Sequence, residues 1–304
     1  MSILNNLNDE QRKAAKKVEG SSLILAGAGS GKTKVLTYKI AHLIDNCGVK
    51  PWNILAITFT NKAANEMKER ISKINSDAYK VTACTFHSLC AKILRVEAGV
   101  LGYGSNFAIY DEHDKEQTLK NIIKINSDIF PDENRRKAFL KAFPDVISKI
   151  KTYNYKEKDI RSAGLMSSYT GDEVLMLYLR YQEELKKSNA MDFDDLLLNV
   201  YKLFCEHKEI LEKYQNLYKY IHVDEYQDTN KIQHKIVELL GAKNGNIFLV
   251  GDEDQGIYSW RGADISNILT YTSKYPDTKM FKLERNYRST SSILKAANRI
   301  ISYN

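Results

Sequence analysis

Residues 23–33 read LILAGAGSGKT, an apolar run that passes through a small, glycine-rich turn into Lys32 and Thr33. Glycines let successive backbone N–H groups converge on phosphate oxygens with no Cβ in the way. A helix opening at Lys32 adds the partial positive charge of its N-terminus at the same point. The pattern predicts strand, loop and helix in that order, with Ala26, Gly27, Ala28, Gly29, Ser30 and Gly31 wrapped around a triphosphate. Lys32 would reach the β- and γ-phosphates, and the Thr33 hydroxyl would ligate Mg²⁺. Ala26 stands where a glycine opens the generic pattern.

Working outward, the same kind of short apolar run recurs at Ser22–Leu25, Ile54–Phe59, Tyr220–Val223 and Ile247–Val250. Each ends in small or polar residues, as buried strands do. Helical periodicity lies between them, at Asn61–Ile74 and Ile232–Leu240. Strand and helix in alternation predict an α/β fold: a mostly parallel sheet covered by helices. From about Asp111 to Tyr214 no buried strand is evident. Helical patterns such as DEVLMLYLRYQEELKK (172–187) and FDDLLLNVYKLF (193–204) fill that stretch instead. It reads as an all-helical subdomain inserted into the α/β domain. Lys and Arg are frequent there, as in NRRKAFLKAF (134–143), either on solvated faces or on a surface for nucleic acid.

The ends of the other strands carry acids and amides. YIHVDEYQDTN (220–230) delivers Asp224 and Glu225 at the end of its strand. Asp224 would hold Mg²⁺, and Glu225 would orient and deprotonate an attacking water. LVGDEDQ (249–255) places Gln255 beside the γ-phosphate. LERNYRS (283–289) supplies Arg288 as a candidate arginine finger, a group worth about 10³–10⁵ in phosphoryl-transfer rate. Near the start, LNDEQ (7–11) suits Asn8 as a helix N-cap with Gln11 in a capping box. An amide that reads an adenine edge is the alternative for Gln11.

Composition sets looser bounds. Hydrophobic residues form 43% and charged residues 27% of the 304, so a globular core is available. The formal net charge of +7 permits an anionic partner. Cys47, Cys84, Cys90 and Cys205 show no CxxC spacing, which points to reduced thiols rather than zinc or a disulfide framework. No signal peptide and no run of about 18 apolar residues is present, so a cytoplasmic protein without a membrane span is expected.

Taken in order, these segments resemble superfamily 1 DNA helicases of the UvrD/PcrA/Rep family. LNDEQ resembles the Q motif, AGAGSGKT motif I, ITFTNKAANEM (57–67) motif Ia, and CTFHSL (84–89) the motif after it. MDFDDLL (191–197) resembles a further motif within the insertion. VDEYQDTN, GDEDQGIYSWRGA (251–263) and LERNYRS resemble motifs II, III and IV. Alanine at the first position of motif I is normal for this family. The resemblance implies that Gln11 contacts adenine and Tyr287 stacks on it. Lys32, Thr33, Asp224, Glu225, Gln255 and Arg288 would serve the triphosphate. Phe59, Asn61, His87, Tyr258, Trp260 and Arg261 fall where the family touches single-stranded DNA. Lys34 stands where the family often has arginine and loses that residue's planar, bidentate contact, which argues against a nucleotide role.

The resemblance implies a RecA-like phosphate-loop NTPase domain 1A over 1–92 and 215–282, a helical domain 1B over 93–214, and the start of a second RecA-like domain over 283–304. It implies an ATP-dependent helicase that uses ATP and Mg²⁺ and moves 3′ to 5′ on single-stranded DNA and at its junctions with duplex. Its second RecA-like domain would be needed in cis, so this chain alone is expected to bind ATP or DNA weakly and to unwind little. Three rivals have distinct signatures. The motor of a RecB/AddA-like helicase–nuclease would carry a nuclease domain. A small-molecule kinase would turn over ATP in response to a metabolite and ignore DNA. A non-motor, nucleotide-dependent DNA-binding module would show no DNA-stimulated turnover.

Overall fold

The structure is a computed structural model, and it describes residues 3–130, 132–259 and 262–301. Its strands are β1 (Ser22–Ala26), β2 (Ile54–Thr58), β3 (Thr82–Thr85), β4 (Ala108–Tyr110), β5 (Ala190–Asp192), β6 (Tyr220–Val223), β7 (Ile247–Gly251) and β8 (Lys279–Leu283). Helices α1 (Asp9–Lys16), α2 (Lys32–Asp45), α3 (Asn61–Ile74) and α4 (Phe86–Glu97) alternate with the first strands. Then follow α5 (Glu112–Ile125), α6 (Glu133–Thr152), α7 (Glu157–Ser162), α8 (Gly171–Lys187) and α9 (Phe193–Glu206). The last are α10 (Lys208–Leu217), α11 (Lys231–Gly241), the short α12 (Ser266–Leu269) and α13 (Tyr271–Lys274), and α14 (Ser291–Ile301).

The chain divides into two compact units, residues 1–86 with 208–304 and residues 87–207. In the first, six strands form one sheet in the order β3-β2-β6-β7-β1-β8. Every pairing is parallel; Leu23, for example, lies against Leu249 on one side and Met280 on the other. A parallel sheet must bury both faces, and the central strands comply: β2 and β7 are buried at every residue. Ile24, Val35, Ile40, Ile54, Ala56, Met67, Ile71, Phe248 and Val250 share one core beneath α2 and α3. Two strands go beyond the sequence reading. β3 (TACT) and β8 (KMFKL) are the two edges of the sheet. Edge position explains the weak apolar signal of β8, which keeps only Leu283 fully buried, whereas β3 is mostly buried but made of small and polar residues.

The second unit is built on helices. Leu119, Ile122, Phe130, Phe139, Phe143, Ile147, Val174, Leu177 and Tyr181 meet in its core. Phe139 stacks on Phe143 with ring centres 4.4 Å apart. The unit is not purely helical: β4 and β5 pair in parallel, Ala108 against Ala190. This corrects the expectation of no strand between about 111 and 214, because β5 lies inside that stretch. Three residues are too few to show a period. Beneath β5 the Lys151 ammonium is wholly buried, 2.6 Å from Asp192 and 2.8 Å from Asp195. Burial opposes its charge, but Asp195 and Asp192 outweigh that and hold its pKa above the usual lysine value. Tyr181 donates its hydroxyl to Asp192 at 2.9 Å and completes the network. Both acids also cap α9 in a reciprocal capping box, so one ion cluster ties α6, α8 and the start of α9 together. Among the described residues no helix is long and apolar enough to cross a membrane.

Candidate nucleotide site and its cleft

The loop after β1 is shaped by two glycines in the left-handed region. Gly29 has φ +73° and Gly31 φ +87°. A Cβ on Gly29 would lie 2.7 Å from the Arg288 Cβ, and one on Gly31 would lie 2.8 Å from the Gln11 amide nitrogen. Both the backbone conformation and the neighbours therefore demand glycine. α2 opens immediately afterwards with Lys32, and its first turn holds no acid that would oppose an anion.

Three strand ends converge on this loop because β1 is flanked by β7, and β7 by β6. Lys32 Nζ donates to Glu225 Oε2 at 3.0 Å and stands 4.0 Å from Asp252 Oδ2. The Thr33 hydroxyl donates to Asp224 Oδ2 at 3.4 Å. Asp224 is buried, and burial together with the Glu225 carboxylate pushes its pKa up to about 6. Glu225 has φ +50° and ψ +48°, a left-handed conformation that costs a non-glycine residue about 1–2 kcal/mol. Strain of that kind collects where a side chain must be aimed. Asp228 is also buried, its Oδ1 has no hydrogen-bond partner, and burial and Glu225 push its pKa up to about 6. Gln255 donates its amide to Asp252.

Mg²⁺ suits the donors present. A hard cation of this size takes one or two protein oxygens and fills its octahedron with phosphate and water. Thr33 and Asp224 offer one hydroxyl and one carboxylate. Among the described residues no cluster of three or more His, Cys, Asp or Glu could cage a metal by itself. The raised Asp224 pKa marks a buried carboxylate that a cation would relieve.

At the other end of the loop, Gln11 forms the capping box with Asn8. Its Oε1 accepts the Asn8 N–H at 3.2 Å, and its own N–H donates to Asn8 Oδ1 at 2.8 Å. Its Nε2 donates to the Ser30 carbonyl at 2.9 Å, so the whole amide is engaged against the phosphate loop. Tyr287 is about half exposed; its hydroxyl accepts from Asn8 Nδ2 at 2.7 Å and its N–H donates to Gly29 O at 2.8 Å. Asn286 donates to Ala28 O and accepts the Arg288 N–H at 2.8 Å. Lys34 turns away, donating to the Asn6 carbonyl at 2.7 Å.

One cleft is lined by Thr33, Asp224, Glu225, Gln255 and Arg288, and also by Phe59 and Tyr258. The Phe59 and Tyr258 rings stack with centres 5.0 Å apart at 24°. Asn61 opens α3 one residue after its N-cap, Thr60. His87 belongs to the other unit, where it packs edge-on to Phe193 at 5.9 Å; burial lowers its pKa. Trp260 and Arg261 lie outside the described residues. Sequence reasoning singled out Asn8 as the helix N-cap it is, but not its bond to Tyr287, and it did not single out Gln227, Asp252 or Asn286. A lone amide or acid carries no periodic signal, and only its place after a strand end or beside a motif could have flagged it.

The sheet order, the glycine loop and the converging strand ends define a RecA-like domain of the phosphate-binding-loop class. The UvrD/REP helicase N-terminal domain matches residues 7–276, and the chain belongs to that family. It is 46% identical over 303 residues to the ATP-dependent DNA helicase PcrA of Staphylococcus aureus strain Mu50, covering 99% of this chain and 40% of that protein. It is 45% identical over 303 residues to the ATP-dependent DNA helicase PcrA of Staphylococcus epidermidis strain RP62A, covering 99% of this chain and 41% of that one. The chain thus spans about two-fifths of the length of the curated relatives it matches.

Proposed function

We propose that the protein to which this chain belongs is an ATP-dependent DNA helicase that moves 3′ to 5′ on single-stranded DNA. The six-stranded unit is its first motor domain, 1A, and the helical unit its domain 1B. Residues 283–304 begin a second RecA-like domain, which must close on ATP in cis. Single strands and their junctions with duplex are the substrate. The observation that carries this reading is the shared cleft: Asp224, Glu225, Gln255 and Arg288 at one end, the Phe59–Tyr258 pair at the other.

In this reading Tyr287 stacks on adenine, and Gln11 rotates its amide from Ser30 to read the base edge. The loop Ala26–Gly31 wraps the phosphates with its N–H groups. Lys32 leaves Glu225 for the β- and γ-phosphates. Thr33 and Asp224 would hold Mg²⁺, which would supply positive charge against the phosphate oxygens. Glu225, released from Lys32, orients water and accepts its proton. Arg288 offsets charge on the transferring group. Gln255 senses the γ-phosphate, and Tyr258 lies three residues further along the same loop. A shift of that loop on hydrolysis changes the grip on the bases, while Phe59, Asn61, His87, Trp260 and Arg261 complete the contact with the strand. Stacking of this kind is worth about 1–3 kcal/mol per base and tolerates any sequence.

Steady-state ATPase of the full-length protein, with and without single-stranded DNA, tests the proposal. Strong stimulation supports it. Turnover that ignores DNA contradicts it. The isolated chain should unwind little, and robust unwinding by it would contradict the need for a second domain.

A further inference from the structure

Gln227 is 1% exposed, and its amide joins two strand ends of the sheet. Its Nε2 donates to Glu225 Oε2 at 2.9 Å. Its Oε1 accepts the Asp252 N–H at 3.0 Å. Glu225 follows β6 and Asp252 follows β7, and these strands are neighbours in the sheet. The next link is the Asp252 carboxylate, which accepts the Gln255 amide. A continuous chain therefore runs Gln255–Asp252–Gln227–Glu225, from the loop that carries Tyr258 to the carboxylate that faces water.

Gly251 shows how closely this link is packed. A Cβ there would fall 2.8 Å from Gln227 Oε1 and 2.6 Å from Ile268 Cδ1. Its φ is not in the left-handed region, so what glycine supplies is room for the amide. A buried carboxamide satisfied at both ends has little freedom, because leaving either end unpaired costs the full desolvation of that group. Moving Asp252 therefore moves Gln227, and Gln227 moves Glu225.

We propose that Gln227 is a positioning residue that couples the Gln255 loop to Glu225, so that the state of the loop sets the aim of the water-activating carboxylate. This rests on the motor reading above. It goes beyond that reading by assigning the link between the two ends of the cleft to one amide.

The test uses the full-length protein and two size-matched variants. Gln227→Glu keeps the acceptor for the Asp252 N–H but loses the donor to Glu225. Gln227→Met loses both. ATPase kcat and KM are measured with and without oligo-dT, alongside the affinity for a fluorescent non-hydrolysable ATP analogue and the thermal melt. Both variants should lose about tenfold or more in DNA-saturated kcat, within the range that aiming a general base controls. The ratio of stimulated to unstimulated rate should fall toward one, while KM and analogue affinity stay within about threefold.

A purely structural amide would lower the melt and leave that ratio intact, which overturns the proposal. Gly251→Ala provides a second route, because it pushes on the same amide. It should lower the stimulation ratio alone but add little to Gln227→Met, since coupled sites are non-additive. Fully additive losses overturn the proposal. Wild-type ATPase that ignores oligo-dT overturns the motor reading and this coupling together. A stimulated wild type with unaffected variants overturns the coupling alone.

Discussion

Lys32 Nζ and Glu225 Oε2 form a 3.0 Å ion pair across the phosphate loop, so the residue expected to bind phosphate and the residue expected to activate water hold each other. The Lys32 side chain is 10% exposed and that of Glu225 36%. In the proposed reading, triphosphate competes with an existing partner and its arrival frees the carboxylate. Lys32→Ala should weaken ATP binding by about 10–100-fold, as expected for losing one charge-assisted contact. Equilibrium binding of a fluorescent ATP analogue reads this directly, and unchanged affinity would remove Lys32 from the phosphate site.

Tyr287 is tethered at its hydroxyl by Asn8 and at its backbone by Gly29, and the Arg285 guanidinium lies 5.2 Å from its ring centre. If the ring stacks on the base, Tyr287→Phe should keep most ATP affinity, because only the tether is lost. Tyr287→Ala should lose about 1–3 kcal/mol, the worth of one stacked base. The ATP KM of the two variants decides. Equal losses would place the function in the hydroxyl instead.

In the proposed reading the stacked Phe59–Tyr258 pair lies at the DNA-facing end of the cleft. Tyr258→Ala should weaken binding of an oligo-dT by about tenfold, again within the range for one stacked base. The affinity for an ATP analogue should hardly change. Fluorescence anisotropy of labelled oligo-dT measures the first quantity, and an unaltered affinity would move the strand elsewhere.

Behind the site, Tyr226 bonds His234, and Glu238 accepts from His234, Lys235 and Tyr275 while pairing with Lys274. Burial works to raise the Glu238 pKa, but these partners outweigh it and hold the carboxyl well below its ordinary 4.5. A depressed carboxyl pKa gives stability that is fully present above the ordinary value and is lost as pH falls through the lowered one. Glu238→Gln should therefore cost about 2 kcal/mol at pH 7, the worth of hydrogen bonds to a charged group. The gap from wild type should close in acid below pH 4.5. Urea unfolding at several pH values checks the sign; a gap that widens in acid would contradict it.

The sequence made the central strands legible because β1, β2, β6 and β7 are contiguous apolar runs buried on both faces. The edge strands were not: β8 keeps only Leu283 buried, and β3, though buried from Ala83 to Thr85, is four small or polar residues with no apolar run. The convergence of Lys32, Asp224 and Glu225 was legible for a related reason. Lys32, Asp224 and Glu225 each follow a buried strand, so their position in three dimensions is set by the sheet. Gln227 and Asn286 were not legible, because their significance lies in what they touch across the fold. The need for glycine at 251 likewise appears only once Gln227 is in place beside it.

In the proposed reading Glu225 is the carboxylate that turns over ATP when a DNA strand is held. The direct measurement is the ATPase rate of the full-length protein with and without single-stranded DNA, for wild type and Glu225→Gln. Wild type should be strongly stimulated, and Glu225→Gln should still bind ATP but turn it over about 10²–10⁴ times more slowly with or without DNA. A Glu225→Gln protein that hydrolyses ATP at the wild-type, DNA-stimulated rate would contradict that reading.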